Sequence, residues 1–497
     1  MTLPGTIEES HKAIVEAHSE NEELRAENEQ LRREISWLKR HLFGQKSERR
    51  VASTPDDQLD LFGGQPEATE EEIREERKEP PRDRRRGKQP LPKDLPREEI
   101  TVDVPQGEKT CECGREKKVI GEDVTERLEI VPARLFVKKY IRPRYACPCC
   151  KDKVVQALLP EAPLGRAAVE AGLLAYLIVS KYADHLPLCR LERIFSRHGI
   201  ELPRARMCDW LMEASELLRP VYTAMKRRLC QSAVLCADET PLEMQSPGGR
   251  GKTDRCWLWV YRGDDAAPYT VFDFHPSRGR DGPREILKDY TGFLQTDDYA
   301  VYGALRREEG YSYREVRCWA HARRKFVEAE KSGDQSAAQA LAIIGRLYEI
   351  EREAADKSAD DRLAFRQGAL PILAELKAWM EERLATPPKS PLGQAIGYTL
   401  DNWQELGVYT TDGRLAIDNN ATERAIRPVA IGRKNWLFAG SERGGHAAAL
   451  FFTLIDSARR AELNPFEYLR DLLSRIGEHP ISRIEELLPD RWQPQGT

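Results

Sequence analysis

Residues Ser232 to Met244, SAVLCADETPLEM, constrain the fold more than any other stretch of the chain. A short apolar run, Ala233-Val234-Leu235-Cys236-Ala237, gives way at once to Asp238-Glu239-Thr240-Pro241. That pattern predicts a buried strand that stops at a carboxylate. A second predicted strand, Gly292-Phe293-Leu294-Gln295-Thr296, stops in the same way at Asp297-Asp298. A third acid, Glu423, lies far downstream in DNNATERAIRP. Acids at strand ends are rigidly held. Two of them with a distant glutamate suit a two-metal site for phosphoryl transfer, in which hard oxygen ligands hold ions about 3.5–4 Å apart. Plainer roles account for the same residues. Acids after strands are ordinary turn residues. Asn420-Ala-Thr-Glu423 also has the spacing of a helix cap, with Asn420 as N-cap and Glu423 reaching back to it.

Around these acids the pattern is α/β. Three strands are predicted from Ser232, then a helix at Gly282 to Tyr290, the Gly292 strand, a helix at Tyr299 to Arg307, and the strand REVRCWA. Cys318 to Phe326, CWAHARRKF, opens a long, charged, helix-forming region that runs to about Glu405. It reads as an insertion that separates Glu423 from the sheet in sequence. His321, Arg323 and Arg324 lie at its start as candidate DNA contacts, and His321 has plain packing or capping as its alternative. Gly432 to Ser441, GRKNWLFAGS, reads as turn-rich. Its Arg433, Lys434 and Trp436 suit phosphate and base contact, although a plain strand and turn would look similar. Leu463 to Trp492 reads as a helical tail.

Upstream, Leu24, Leu31 and Leu38 recur every seven residues, with Ile35, Leu42, Asn21 and Asn28 in the other seam position. Such a seam predicts a coiled coil that pairs two chains, or a solvated helix packed on its own chain. The stretch from Ser47 to Glu99 is charged and proline-rich, which predicts a flexible linker, and its RDRRRGK run is either a DNA-phosphate arm or a solvated segment. Next come Cys111 and Cys113, a stretch of alternating polarity (RLEIVPARLFVKKYIRPRY) that reads as a hairpin, and then Cys147, Cys149 and Cys150. Two cysteine clusters on turns joined by strands predict a zinc site held by Cys111, Cys113, Cys147 and Cys150, with Cys149 as a rival. Free thiols on a small β module are the alternative. From Arg166 to Met225 the chain reads as helical, and LCRLERIFSRHGIELPRARMCDW has a helix, a Gly199 turn and a second helix. Arg193, Arg197, Arg204 and Arg206 flank that turn, as in a helix-turn-helix that reads DNA. Any helical bundle contains similar corners.

At 497 residues the chain accommodates several domains. With a net charge of −4 it is no polycation, so any nucleic-acid surface is local. No apolar run is long enough to span a membrane and no signal-peptide core is present, so a cytoplasmic protein without a membrane partner is expected. Eleven cysteines then argue for thiols or metal rather than disulfides.

Several stretches together resemble one known family. HLFGQKSER, the two cysteine clusters, KYADHLPLCR, CADETP, FLQTDDYAVY, CWAHARRKF and DNNATERAIRPVAIGRKNWLFAGS are similar, in this order, to the insertion-sequence transposases of family sixty-six, of the DDE class. The resemblance covers nearly the whole chain. It implies an RNase H-like catalytic fold, Mg²⁺ (or Mn²⁺) at the catalytic site, and cleavage and joining of the ends of a mobile element. It implies Asp238, Asp297 and Glu423 as the catalytic triad. The partners it implies are double-stranded DNA, as terminal repeats and as target, with accessory proteins encoded by the element as further candidates. Two positions depart from the family pattern: Asp298 stands where glycine is usual, and the first cysteine pair is closer than usual. The expected fold class is therefore multidomain α/β plus α. Its expected parts are a coiled-coil helix (1–46), a linker (47–100), a small β zinc-binding module (101–158), a helix-turn-helix-like region (159–228), an RNase H-like catalytic domain (229–460, with a helical insertion at about 327–407) and a helical tail (461–497). A DNA-binding regulator with a silent catalytic domain, and a nuclease that cuts without joining, are the alternatives.

Overall fold

The computed structural model describes residues 135–141, 144–145, 155–156, 162–165, 169–246 and 251–494. The chain divides after Ala133 into two units, and the first lies outside the described residues. The coiled coil, the linker and all five clustered cysteines, Cys111, Cys113, Cys147, Cys149 and Cys150, are therefore outside them as well. The described part of the predicted hairpin departs from expectation. Residues 135–141 form no strand, and Phe136, Val137 and Ile141 are exposed. Alternating polarity specifies a strand only where something covers the apolar face, and here the ladder is two residues long. β1 (Arg144–Tyr145) pairs antiparallel with β2 (Val155–Gln156). Lys138 Nζ and Tyr140 OH, both donating to Glu170 at 2.9 Å, tie this segment to the helices that follow.

Those helices are α1 (Ala171–Tyr182), α2 (Leu188–Arg197) and α3 (Arg204–Leu229). α1 is apolar enough to be buried along most of its length, through Leu174, Leu177 and Ile178. Gly199, at φ +74°, supplies the left-handed residue that ends α2. Glu192 of α2 then accepts the Arg204 N–H at 3.2 Å, so one helix caps the next.

The sheet follows. β3 (Val234–Gln245), β4 (Thr253–Gly263) and β5 (Thr270–His275) form an antiparallel meander. α4 (Asp281–Leu287), β6 (Phe293–Thr296), α5 (Ala300–Leu305) and β7 (Arg314–Arg317) come next. β6 pairs parallel with β3, and β7 parallel with β6, so the order across the sheet is β5-β4-β3-β6-β7. β3 does not stop at Asp238 as its sequence predicts. It runs through the acid and on to Gln245, because β4 pairs with it along the full length, from Leu235 opposite Gly263 to Gln245 opposite Thr253. What ends before Asp238 is the parallel ladder on the other side, whose last pair is Cys236 with Gln295. Beyond that point one edge of β3 is open, and Pro241 is tolerated there because it owes that edge no N–H. Arg433 donates to the Pro241 carbonyl, and Ala439 exchanges backbone bonds with Glu243 and Gln245, both at 2.8 Å.

The opposite edge, β5, is sealed by side chains. Thr453 Oγ1 and Ser457 Oγ accept the Phe272 and Thr270 N–H groups at 2.9 and 3.0 Å, from helix α13 (Glu442–Arg460). Edge strands left bare are templates for wrong pairing. The remaining helices are α6 (Trp319–Lys331), α7 (Ala337–Glu353), α8 (Ala359–Arg366), α9 (Ala369–Glu381), α10 (Pro391–Asp401), α11 (Trp403–Gly407), α12 (Asn420–Trp436) and α14 (Pro465–Arg475). The helices from α6 to α11 build a second core of their own around Trp319, Phe326, Leu376 and Trp379. This core reaches the sheet through Val234 and Val316.

Gly432 to Trp436 is not turn-rich but the last part of α12. The apolar positions Ala425, Ile426 and Val429, and Gly432 with them, are buried against the body and carry the helix through its internal Pro428. The turn comes only at Leu437, at φ +66°.

A carboxylate cluster as candidate active site

Parallel pairing sets the first two acids. Cys236 and Gln295 are register partners, and their side chains meet, Cys236 Sγ donating to Gln295 Oε1 at 3.7 Å. Side chains alternate along a strand. Two residues further on, Asp238 and Asp297 therefore fall on the same face at the same level. Asp298 points elsewhere: its carboxylate meets Arg317 Nη2 at 3.3 Å and Asn402 Nδ2 at 3.3 Å. Asp297 is fixed from both ends, Oδ1 accepting the Tyr299 N–H at 3.1 Å and its carbonyl accepting Arg317 Nη1 at 2.6 Å.

Glu423 reaches this face on α12, which is laced to the sheet ahead of its first turn. Gln295 Nε2 donates to the Ala416 carbonyl at 2.8 Å, Asn419 Nδ2 to the Ala237 carbonyl at 3.0 Å, and the Asn419 N–H to Cys318 Sγ at 3.2 Å. The capping alternative does not form. The N-cap is Asn419, its side chain accepts no capping bond, and Asn420 Nδ2 turns to Asp418 at 2.9 Å. Glu423 Oε2 lies 4.0 Å from Arg324.

The electrostatics register the convergence. Burial pushes the Asp238 carboxyl well above the usual carboxylate range, helped by the charges of Glu239, Asp297 and Glu423. Burial also raises Asp297, against the Tyr299 N–H and the Arg278 and Arg317 charges. Glu239, an acid that the sequence reading passed over, is pushed up to about 7 by burial and by Asp297, against Arg278. Mutually repelling, partly desolvated oxygen donors are what a hard divalent cation relieves, so the donor set fits Mg²⁺ or Mn²⁺. Among the described residues no three acidic, histidine or cysteine side chains stand close enough together to chelate an ion. The cluster is convergent but not closed.

The other predicted residues are placed as follows. Arg193, Arg197, Arg204 and Arg206 are exposed around the Gly199 turn. His321 is largely buried at the start of α6, and burial with the nearby Arg324 and Lys325 charges lowers it to about 4. Arg323 and Arg324 lie one turn further into α6, and Arg324 is turned towards Glu423. Arg433 is half-buried and spent on the Pro241 carbonyl. Lys434 is exposed, and Trp436 lies half-buried beneath Lys181, whose Nζ is 5.2 Å from a ring centroid. Glu239 had a visible signal, since it is adjacent to Asp238. Arg278 and Arg317 had none, because their partners are distant in sequence. No helix among the described residues is long and apolar enough to cross a membrane.

Comparison with known proteins identifies a family. Residues 166–447, which hold all three acids, match the family model "Transposase IS66 family". Residues 30–100 match "Transposase C of IS166 homeodomain", residues 108–151 match "zinc-finger binding domain of transposase IS66", and residues 453–489 match "IS66 C-terminal element". Among curated proteins, uncharacterized protein y4jD of Sinorhizobium fredii is 37% identical over 418 residues, covering 81% of each chain. Uncharacterized protein y4qI of the same organism is 36% identical over 473 residues, covering 91% of this chain and 86% of its own. With four family models matched in order along its length, and the largest spanning the carboxylate cluster, the chain belongs to the IS66 family of transposases.

Proposed function

We propose that Asp238, Asp297 and Glu423 form a DDE triad that cuts and joins DNA at the ends of an insertion sequence. The observation that carries this reading is the register of β3 and β6, which sets the two aspartates side by side, with α12 laced over the same face. The sheet order β5-β4-β3-β6-β7, an antiparallel meander followed by two parallel strands, supports an RNase H-like fold. Asp238, Asp297 and Glu423 would hold Mg²⁺ or Mn²⁺. Such ions, when bound, lower the pKa of an attacking hydroxyl and stabilise the leaving oxygen. Every other contribution comes from the chain. Arg317 holds the Asp297 backbone, Asn419 holds the Ala237 carbonyl beside Asp238, and Arg324 offsets Glu423. Exposed Arg193, Arg197, Arg204 and Arg206, with Arg323, Lys434 and Trp436, are the candidate DNA contacts, whereas Arg433 is engaged by the Pro241 carbonyl and His321 is largely buried.

Outside the described residues, we assign zinc to Cys111, Cys113, Cys147 and Cys150, and self-association to the heptads before Gly44. On this reading the catalytic domain spans residues 229–460, with its helical insertion at about 327–407. The test is single-turnover cleavage and strand transfer on duplex DNA carrying the element's ends, with Mg²⁺ or Mn²⁺. Asp238→Asn, Asp297→Asn and Glu423→Gln should each abolish both steps, a loss of several orders of magnitude, while DNA binding persists. Normal cleavage by all three variants would refute the triad. Cleavage with no joined product would make the protein a nuclease.

A further inference from the structure

A cation announced by no motif lies beside the carboxylates. Arg278 follows β5 and precedes α4. Its Nε donates to Glu239 Oε1 at 2.9 Å, and Nη2 donates to the same oxygen. Its guanidinium lies 4.7 Å from the Trp257 ring and 4.1 Å from the Tyr299 ring. Tyr299 OH donates to the Arg278 carbonyl at 2.7 Å, while the Tyr299 N–H donates to Asp297. Asp297, Tyr299, Arg278 and Glu239 thus form one continuous set of contacts around the predicted active site. The two ends of the ion pair differ. The Glu239 side chain is 1% exposed, whereas 42% of the Arg278 side chain faces solvent. A guanidinium that only neutralised Glu239 would be covered with it. This one spends Nε and Nη2 on the acid, and two fifths of its side chain stays in solvent.

We propose that Arg278 is a phosphate clamp, a binding residue whose Nη1 edge takes a non-bridging oxygen of a DNA phosphodiester next to the one held at Asp238 and Asp297. The proposal rests on the active-site reading above and adds a residue to it. Four acids repel a polyanion, and a fixed cation at their margin offsets that repulsion. A guanidinium suits phosphate oxygens geometrically. Two aromatic rings and Glu239 already hold this one in place, so binding orders little that was free.

The experiment uses the full chain. Binding to an element-end duplex, and to an unrelated duplex of equal length, is titrated against salt without divalent metal, and single-turnover cleavage is followed with Mg²⁺. Each phosphate contact contributes about 0.9 to the slope of log K against log salt. Arg278→Gln should lower that slope by about 0.9 on both duplexes and slow cleavage. Arg278→Lys should restore the slope and only part of the rate, because an ammonium lacks the planar fork. The double variant Arg278→Gln with Glu239→Gln removes both charges of the pair and leaves amides that can still hydrogen-bond. If it keeps the full slope and the full rate, Arg278 serves only Glu239 and the clamp is overturned. If it stays one contact short, the clamp stands. Failure of the wild type to cut any DNA would sink the active-site reading instead, and the salt slope would still decide whether Arg278 meets phosphate.

Discussion

Removing Arg317 tests whether the second aspartate is held from behind. The side chain is 8% exposed, and it reaches five acceptors. Nε donates to Asn402 Oδ1 at 3.1 Å, and Nη1 to Thr296 Oγ1 at 2.9 Å and the Asp297 carbonyl at 2.6 Å. Nη2 pairs with Glu315 at 2.8 Å and Asp298 at 3.3 Å. The Glu315 side chain is 4% exposed, and its other cation, Arg306, is 3.6 Å away and half in solvent. Arg317→Met therefore strands a buried carboxylate, which costs about 3–5 kcal/mol. Pairing it with Glu315→Leu removes the stranded charge. The double variant should recover all but about 1–2 kcal/mol, the remainder being the Asn402 and Thr296 acceptors left without the guanidinium, while the Asp297 carbonyl keeps the Thr296 hydroxyl at 2.8 Å. It should not recover full cleavage, since the Asp297 carbonyl loses its guanidinium donor and keeps only the Thr296 hydroxyl. Denaturant unfolding, with the midpoint read at constant m, measures the first effect. Single-turnover cleavage measures the second. An Arg317→Met protein within about 1 kcal/mol of wild type, or a double variant that cuts at the wild-type rate, would refute the reasoning.

Asp298→Gly should keep cleavage within about fivefold of wild type, because the acid is half exposed and such pairs contribute about 0–1 kcal/mol; a dead variant with an active Asp297→Asn would move the triad by one residue. Metal analysis should find about one zinc per chain, lost in Cys147→Ser with Cys150→Ser; full retention would reject that ligand set. His321 has its pKa lowered from 6.5 to about 4, so the folded state holds it neutral where the unfolded chain would protonate it. Its contribution is present above pH 6.5 and is lost as pH falls towards 4. Glu239 slopes the other way: raised from 4.5 to about 7, it stabilises below pH 4.5 and loses that contribution as pH rises through 7. The difference between wild type and His321→Gln isolates the histidine. The variant should lose less stability on acidification between those limits, and parallel pH curves would contradict this.

Much of the sheet and of the candidate site was legible in the sequence because its signals are local. The apolar runs before Asp238 and Asp297, the succession of strands and helices between Ser232 and Arg317, and the Gly199 turn each depend on a few adjacent residues. The end of β3 is not legible in the sequence, for the opposite reason. Its length is set by β4, through pairs such as Pro241 with Trp257, and a polar residue does not end a strand whose partner continues. The GRKNWLFAGS stretch looked turn-rich from its small and polar residues, yet its apolar face is supplied a turn earlier, by Ile426 and Val429. Arg278 and Arg317 act through acids on other elements, so nothing near them in the chain marks them.

The edge-sealing hydroxyls of α13 have a consequence for how the protein is made. During synthesis the chain emerges with β5 complete long before Thr453 and Ser457 are added, and Glu423 also follows only after the whole helical insertion. A polypeptide cut short before α12 would carry both aspartates without the glutamate, and its sheet would end in unpaired Thr270 and Phe272 N–H groups. Such fragments would be prone to cross-strand association, and so open to removal by proteolysis. The third acid of the cluster and closure of the sheet thus come from the same late stretch of chain, so a ribosome that stalls early releases a chain with neither.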